Sequence, residues 1–227
     1  MTYIYASDRK WAIDVFLNHR DDLSGNWLLV TTPEDLNAAL INNRPDFIFF
    51  PHWSHIVSRN ITERFDCVCF HMTDLPFGRG GSPLQNLIVR GVQTTKLTAL
   101  KMVEQLDAGP IYKKDDLTLN GSALEIFERM SNLAIEQIKF ILKHQPIPEP
   151  QKNIPAEKFI RRSPLQSKIN HIDNLNDLYD YIRMLDAPGY PRAYIGLNGL
   201  TFAFENAQLD AQSKSLIASV VIKKAIN

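Results

Sequence analysis

The segment Cys67-Val68-Cys69-Phe70-His71-Met72-Thr73-Asp74-Leu75-Pro76-Phe77-Gly78-Arg79-Gly80-Gly81-Ser82-Pro83 carries the clearest structural signal in the chain. An apolar run, typical of a buried strand, ends in a histidine and leads through a loop rich in glycine and proline. A serine and a proline follow, the residue types that begin helices. Because ligands bind at the carboxyl ends of strands in open α/β sheets, His71 is a candidate functional residue. The alternative is a histidine that is satisfied by hydrogen bonds above an ordinary loop.

Strand-like and helix-like segments alternate on the amino-terminal side of this segment. Tyr3–Ala6, Trp27–Val30 and Asp46–Phe50 are short apolar runs, and a capped helix start at Thr32-Pro33 lies between the second and the third. This alternation favours a mainly parallel sheet with helices on its faces. The sequence therefore predicts an α/β protein with a Rossmann-like, mainly parallel sheet and flanking helices.

Beyond the candidate site, the strongest helix signal runs from Ser122 to Lys143. Four prolines between residues 144 and 155 then interrupt any regular element. We place a boundary there, with a catalytic domain over residues 1–150 and a small carboxyl-terminal α+β subdomain over 151–227. The subdomain is predicted to contain a helix over Asn174–Leu185 and a hairpin that turns at Asn198-Gly199. The last stretch, residues 213–226, fits a strand or a helix.

Composition limits the classes of partner. The 227 residues carry 25 Lys and Arg against 25 Asp and Glu, so the formal charge is zero. Proteins that neutralise a phosphate backbone usually need a basic surplus, so no nucleic-acid partner is predicted. No apolar run is long enough to span a membrane and no signal pattern opens the chain, so we expect a cytoplasmic protein without a membrane partner. The sequence leaves the oligomeric state open, a homodimer being one alternative.

No metal site is predicted. Cys67, Cys69 and His71 alternate along one strand and share a face, but adjacent positions on one face suit tetrahedral zinc poorly and no fourth ligand is evident. The same spacing is a poor arrangement for a structural disulfide. The chain also has no Gly-x-Gly-x-x-Gly motif, so a dinucleotide cofactor is not supported.

A second candidate lies in Gln105-Leu106-Asp107-Ala108-Gly109-Pro110, where an acid occupies a tight turn between two predicted strands. By itself such an acid is usually a turn former. Together, His71-x-Thr73-x-Leu75-Pro76-x-x-Arg79-Gly80 and Leu106-Asp107-Ala108-Gly109-Pro110 resemble the formyltransferase family that uses 10-formyltetrahydrofolate. That family places an Asp thirty-six residues after the His of its Asn-x-His signature, and 107 − 71 = 36 in this chain. The resemblance covers residues 1 to 145.

A weaker similarity extends to the carboxyl-terminal region. Arg161-Arg162-Ser163-Pro164 and the run from Arg183 to Pro191 resemble sugar-nucleotide N-formyltransferases, and the segment from His71 to Asn86 is most similar to those of pseudaminic acid pathways. The resemblance implies formyl transfer to the amine of a nucleotide-linked amino sugar. Two alternatives stay open: an aminoacyl acceptor on a carrier or a tRNA, and an inactive folate-binding homologue.

The resemblance also implies site residues. His71 and Asp107 would be catalytic, whereas the family's catalytic Asn is replaced by Cys69, whose thiol is a weak donor. Cys69 either takes that role or only packs, and Asn86, Thr73 or a backbone N–H could take the role instead. The donor 10-formyltetrahydrofolate would be bound by His52, Trp53, Ser54, Leu106 and Asp107, and the acceptor by Thr73, Arg79, Gly80, Asn86 and Tyr190. Arg79 could instead anchor the glycine loop, and Tyr190 could instead form a rigid turn.

Overall fold

The computed structural model describes residues 1–155, 157–210, 212 and 214–224. Within these residues, no helix is long and apolar enough to cross a membrane. The chain forms two compact units. The first unit comprises Met1–Gly80, Thr94–Leu117 and Phe127–Lys158, and the second comprises Gly81–Gln93, Thr118–Ile126 and Phe159–Asn227.

A six-stranded sheet organises the first unit. Its strands are β1 (Thr2–Ala6), β2 (Asn26–Val30), β3 (Phe47–Phe50), β4 (Cys67–His71), β6 (Thr94–Lys101) and β7 (Ile111–Thr118). They lie in the order β2-β1-β3-β4-β6-β7. The first four strands pair in parallel, and β4 pairs antiparallel with β6, with His71 opposite Thr98. The short strands β5 (Arg79–Gly80) and β8 (Lys158–Phe159) pair with one another.

Four helices alternate with or follow these strands, and the second and the last begin at the residue types that the sequence predicts. They are α1 (Lys10–His19), α2 (Pro33–Asn42), α3 (Arg59–Arg64) and the long α5 (Ala123–His144). The Thr32 hydroxyl accepts the backbone N–H of Asp35 at 3.0 Å, which caps α2. Ser122 and Glu125 form a reciprocal capping box at the start of α5.

The core of the first unit lies on both faces of the sheet because its central strands are apolar throughout. Tyr5 stacks on Phe16 of α1 with ring centroids 4.3 Å apart. On the other face, α2 and α3 cover a cluster of buried side chains: Ile4, Ala6, Val30, Leu36, Ile48, Phe50, Ile61 and Cys67. Two-sided burial of this kind is typical of parallel strands, and it holds the end of β4 in a fixed position.

The second unit contains α4 (Pro83–Ile88), α6 (Leu175–Arg183), β9 (Ala193–Leu197), β10 (Leu200–Asp210) and β11 (Ser215–Lys224). The last three strands form an antiparallel sheet. Asn198 and Gly199 both have positive φ, as a two-residue hairpin turn of the predicted kind requires. The last stretch is a strand as far as it is described, and Ser213, Ala225 and Ile226 lie outside the described residues.

The predicted fold class is confirmed: a central, mainly parallel sheet with helices and a small carboxyl-terminal unit with its own sheet. The antiparallel pairing of β4 with β6 and the short helix α3 are additional findings. The domain boundary at residue 150 stays a prediction.

Candidate active site

His71 is the last residue of β4, and its side chain is only 8% exposed. Its Nε2 atom lies 2.8 Å from the carbonyl oxygen of Gly78, in the loop that follows the strand. A carbonyl oxygen can only accept, so this contact requires a proton on Nε2. The loop therefore fixes both the orientation of the ring and the position of one proton.

Asp107 faces the other ring nitrogen. Its Oδ2 atom lies 3.6 Å from Nδ1 of His71, and its side chain is 10% exposed. The same oxygen accepts the backbone N–H of Gly80 at 2.9 Å. The pair is thus nearly excluded from water and held by the loop after β4 and by the turn between β6 and β7.

This arrangement suits a doubly protonated imidazole. Each ring nitrogen of His71 faces an acceptor, Gly78 O on one side and a carboxylate oxygen on the other. An imidazole with both nitrogens protonated can stabilise an oxyanion, and a carboxylate beside it can accept a proton.

The turn that carries Asp107 is tightly built. Asp107 has φ +52°, a conformation that is costly for a residue with a side chain. Two residues on, a Cβ atom at Gly109 would lie 1.7 Å from the carbonyl oxygen of Lys101, so only glycine fits. The N–H of Lys101 donates to the carbonyl of Pro110 at 2.8 Å, which closes the turn.

Gln151 also holds this turn, and the sequence reasoning missed it. Its side-chain Nε2 donates to the carbonyl oxygens of Asp107 and Gly109, at 2.8 Å each. Its Oε1 accepts from the guanidinium of Arg79. The only sequence signal is a polar side chain within the proline-rich segment, which by itself indicates a loop.

Cys69 precedes His71 by two residues on β4 and lies near Asp107. Burial raises the pKa of the Cys69 thiol well above its usual value, and the negative charge of Asp107 raises it further. Burial also raises the pKa of Cys67, to about 12. Both cysteines are free, and at neutral pH both are thiols rather than thiolates. Cys69 can therefore offer the site only a weak S–H donor.

The three predicted donor-binding residues after β3 differ in their surroundings. The His52 ring packs edge-on against Trp11 and Phe127, and burial, together with the charge of Arg9, lowers its pKa to about 3. Trp53 packs against Phe50 with its indole N–H buried and without a partner. The Ser54 hydroxyl accepts from Arg9 at 3.0 Å. His52 is thus a neutral, packed ring, and its predicted contact with the donor stays a prediction.

The other predicted residues of the first unit differ in exposure and in their contacts. Leu106, beside Asp107, is 70% exposed. Thr73 is fully buried, with its carbonyl bonded to Thr98 and its hydroxyl without a partner. Arg79 bonds to Gln151, and the Gly80 N–H contacts Asp107, so both are used within the site loop. These contacts agree with an anchoring role for Arg79.

Two predicted acceptor-binding residues belong to the second unit. The Asn86 side chain donates to the carbonyls of Gly81, Ser82 and Ile160, so its N–H groups fasten the start of α4. Tyr190 is half-buried in a turn closed by its N–H on the carbonyl of Ala187. Among the residues that the structure describes, no group of three or more metal-ligating side chains occurs.

Comparison with known proteins gives consistent matches. Residues 164–223 match a family model described as the methionyl-tRNA formyltransferase, carboxyl-terminal domain. A solved structure titled methionyl-tRNA formyltransferase from Clostridium thermocellum is 42% identical, with a TM-score of 0.93, over 99% of this chain and 100% of that one.

More distant relatives extend the comparison. A methionyl-tRNA formyltransferase of Rickettsia bellii is 26% identical over 86% of this chain and 67% of its own length. The chain spans between 37% and 67% of the length of the curated relatives it matches. HypX from Aquifex aeolicus, solved in complex with tetrahydrofolic acid, shares the fold at 17% identity, with a TM-score of 0.73, over 92% of this chain and 38% of that one.

These matches correct two predictions. The assignment to a nucleotide-linked amino sugar was wrong, since the matched family model, the Rickettsia bellii relative and the solved structure at 42% identity are all named for methionyl-tRNA. The expectation of no nucleic-acid partner, which rested on the zero net charge, fails for the same reason. A total charge does not report local charge, and the phosphate contacts of a protein depend on the residues at its interface.

Proposed function

The chain belongs to the formyltransferase family, and we propose that it transfers a formyl group from 10-formyltetrahydrofolate to the amine of an aminoacyl group carried by a tRNA. The observation that carries this proposal is the buried pair of His71 and Asp107 at the carboxyl end of β4. The geometry places an imidazole and a carboxylate side by side. In the proposed acyl transfer the protonated ring stabilises the developing oxyanion, and the carboxylate accepts a proton.

The two side chains divide the chemistry. The neutral amine attacks the formyl carbon, and the carbonyl oxygen becomes negative in the tetrahedral intermediate. The protonated His71 ring stabilises that charge in the transition state more than in the ground state. Asp107 keeps the ring charged and accepts the proton that the amine releases, directly or through water. When the intermediate collapses, the bond to the folate nitrogen breaks and that nitrogen takes up a proton.

The carbonyl oxygen of Gly78 competes with the formyl oxygen of the donor for the Nε2 proton of His71. In the structure it is donated to Gly78 O, so a formyl oxygen must share or displace that bond. The buried charge of the ring acts over several ångströms even while Nε2–H stays with the carbonyl, because a low-dielectric site screens it weakly. Cys69 contributes no more than a weak additional donor.

The surface beside Asp107 fits the proposed donor. Leu106, which is 70% exposed, and Val103, which is 41% exposed, present apolar side chains next to the buried charged pair. Ligand sites commonly combine an apolar wall with a few polar groups, and a flat heteroaromatic ring suits such a wall. Leu106 and Asp107 would hold the donor, which supplies an activated formyl group.

The acceptor in this proposal is inferred from the substrate for which the related proteins are named. The 42% identity over the whole of the Clostridium thermocellum chain and the carboxyl-terminal match to the tRNA-enzyme model support an aminoacyl-tRNA. The test is to incubate the protein with 10-formyltetrahydrofolate and methionyl-tRNA, and to detect N-formylmethionine by mass spectrometry after deacylation. Free methionine and uncharged tRNA are the matched controls. Formylation of a carrier-linked aminoacyl group but not of methionyl-tRNA would contradict the proposed acceptor.

A further inference from the structure

The side chain of Gln151 uses all of its hydrogen-bonding capacity within the candidate site. Its Nε2 group donates both protons, to Asp107 O and Gly109 O at 2.8 Å each. Its Oε1 atom accepts from Arg79 Nε at 3.1 Å and from Arg79 Nη2 at 2.6 Å. A carboxamide offers two donors and two acceptor sites, so no capacity is left for a substrate.

Those bonds join the two segments that carry the reacting pair. On one side, Gln151 binds the carbonyl of Asp107 itself and that of Gly109, two residues further on. On the other side, it binds Arg79, whose neighbour Gly80 donates its N–H to Asp107 Oδ2 at 2.9 Å. Gln151 thus bridges the backbone of the turn to the loop that contacts the Asp107 carboxylate.

The Asp107 turn needs such support. Its φ of +52° is an uncommon conformation for a residue with a side chain, and such conformations persist only where the surroundings impose them. Gln151 is itself placed by the backbone. Ile111, at the start of β7, exchanges two hydrogen bonds with Glu149, at 2.7 and 2.9 Å. Gln151 follows that pair by two residues.

We infer that Gln151 is a positioning residue that holds Asp107 at its place beside His71. The inference rests on the proposed formyl transfer for its effect on rate. The side chain touches no reacting atom in this account and acts through the Asp107 backbone. A displacement of catalytic groups by about 1 Å can lower the rate on the order of 10²-fold. A small displacement of Asp107 is therefore expected to lower the rate of formyl transfer measurably.

Gln151→Met and Gln151→Glu test the inference. Methionine keeps the length of the side chain and removes every hydrogen bond. Glutamate keeps an acceptor for Arg79 but turns acceptors toward two carbonyl oxygens. If the donated bonds position Asp107, both variants lose about 10²-fold in kcat, with KM for both substrates within about threefold of the unchanged enzyme. A Gln151→Glu protein with full kcat would overturn the inference.

A readout without catalysis separates this inference from the proposed function. The Gly80 N–H donates to the Asp107 carboxylate, so its hydrogen exchange, followed by NMR, reports the position of Asp107. In both Gln151 variants the Gly80 amide is expected to exchange about tenfold faster, as when one hydrogen bond is lost. Unchanged Gly80 exchange in both variants would overturn the inference, whether or not the protein transfers formyl groups.

Gln137→Met is the matched control. Gln137 lies in the same unit and also donates two hydrogen bonds from its side chain, to Leu97 O and to Asp115. Its loss should lower stability without changing the exchange of the Gly80 amide or the kcat. If Gln137→Met changes Gly80 exchange as much as Gln151→Met does, the effect is general loosening and the inference fails.

Discussion

His71 Nδ1 and Asp107 Oδ2 lie 3.6 Å apart with both side chains buried, although thirty-six residues separate them in the chain (107 − 71 = 36). Thr98 of β6 lies opposite His71, and β6 then runs toward the start of β4, where Lys101 pairs with Val68. The turn after β6 brings Asp107 back to His71, and the resulting pair can polarise a carbonyl and accept a proton.

If these two residues act as one unit, their removal is not additive. We expect His71→Asn and Asp107→Asn each to lower kcat strongly, and the double variant to be no slower than the slower single variant. The four proteins of this double-mutant cycle are compared by initial rates of formyl transfer. Additive losses would show that the residues act independently, which the buried contact argues against.

Cys69→Asn tests whether the weak S–H donor of Cys69 takes part in the reaction. A carboxamide donates a stronger hydrogen bond than a thiol, so the variant should keep the formylation rate or raise it. Cys69→Ala removes the donor and should lower kcat without unfolding the protein. An Ala variant that folds and retains the full rate would show that Cys69 serves only in packing.

The thiols themselves should be slow to react. Burial raises the pKa of both cysteines, to about 12 for Cys67, so the thiolate is nearly absent at pH 8. Labelling of the native protein with a disulfide reagent should therefore be slow at pH 8, and should speed up as the pH rises. The denatured protein, in which both thiols react quickly, is the control. Fast labelling of the native protein at pH 7 would contradict the buried positions.

His52 should couple stability to pH. Its pKa in the folded protein is about 3, below the ordinary value of 6.5, so the unfolded chain binds a proton that the folded protein does not. The contribution is fully present above pH 6.5 and is lost as the pH falls toward 3. Between pH 7.5 and 5 the loss amounts to about 2 kcal/mol, because each pH unit below 6.5 costs up to about 1.36 kcal/mol.

The measurement compares urea unfolding of the unchanged protein with that of His52→Asn, because Asn tolerates the positive φ at this position. The variant should lose less free energy of unfolding on going from pH 7.5 to pH 5. His171→Asn, at an exposed position, should keep the full pH dependence. Equal pH dependence in the His52 variant and the unchanged protein would contradict the assignment.

Much of the fold could be predicted from the sequence because its signals are local. The apolar run before His71, the capped helix starts and the Asn198-Gly199 turn each depend on a few adjacent residues. The antiparallel pairing of β4 with β6 could not be predicted, because strand direction depends on the path of the chain between strands. His71 is a candidate because of its local position at the end of an apolar run, whereas Asp107 is singled out only by its spacing from His71, and the catalytic roles of both stay predictions.

The residues that support the site could not be predicted from the sequence, for a physical reason. Gln151 lies forty-four residues from Asp107, and nothing in its neighbourhood indicates a partner. Asn86 was expected at the substrate, but all its donated bonds hold backbone carbonyls. Side-chain hydrogen bonds between segments that are distant in the chain form only in the completed fold. They leave no periodic pattern in the sequence from which they could be predicted. The predicted acceptor was wrong because it rested on a weak similarity of short segments. The expectation of no nucleic-acid partner was wrong because the total charge of a chain says little about the charge at one interface.

Single-turnover formylation of methionyl-tRNA by the unchanged protein and by Asp107→Asn tests the account as a whole. The substitution keeps the shape of the side chain and removes its charge beside His71. With 10-formyltetrahydrofolate as donor, the unchanged protein should form N-formylmethionyl-tRNA, and Asp107→Asn should form it about 10²–10³-fold more slowly. Equal rates in the two proteins, or no formylated product from the unchanged protein, would contradict the account.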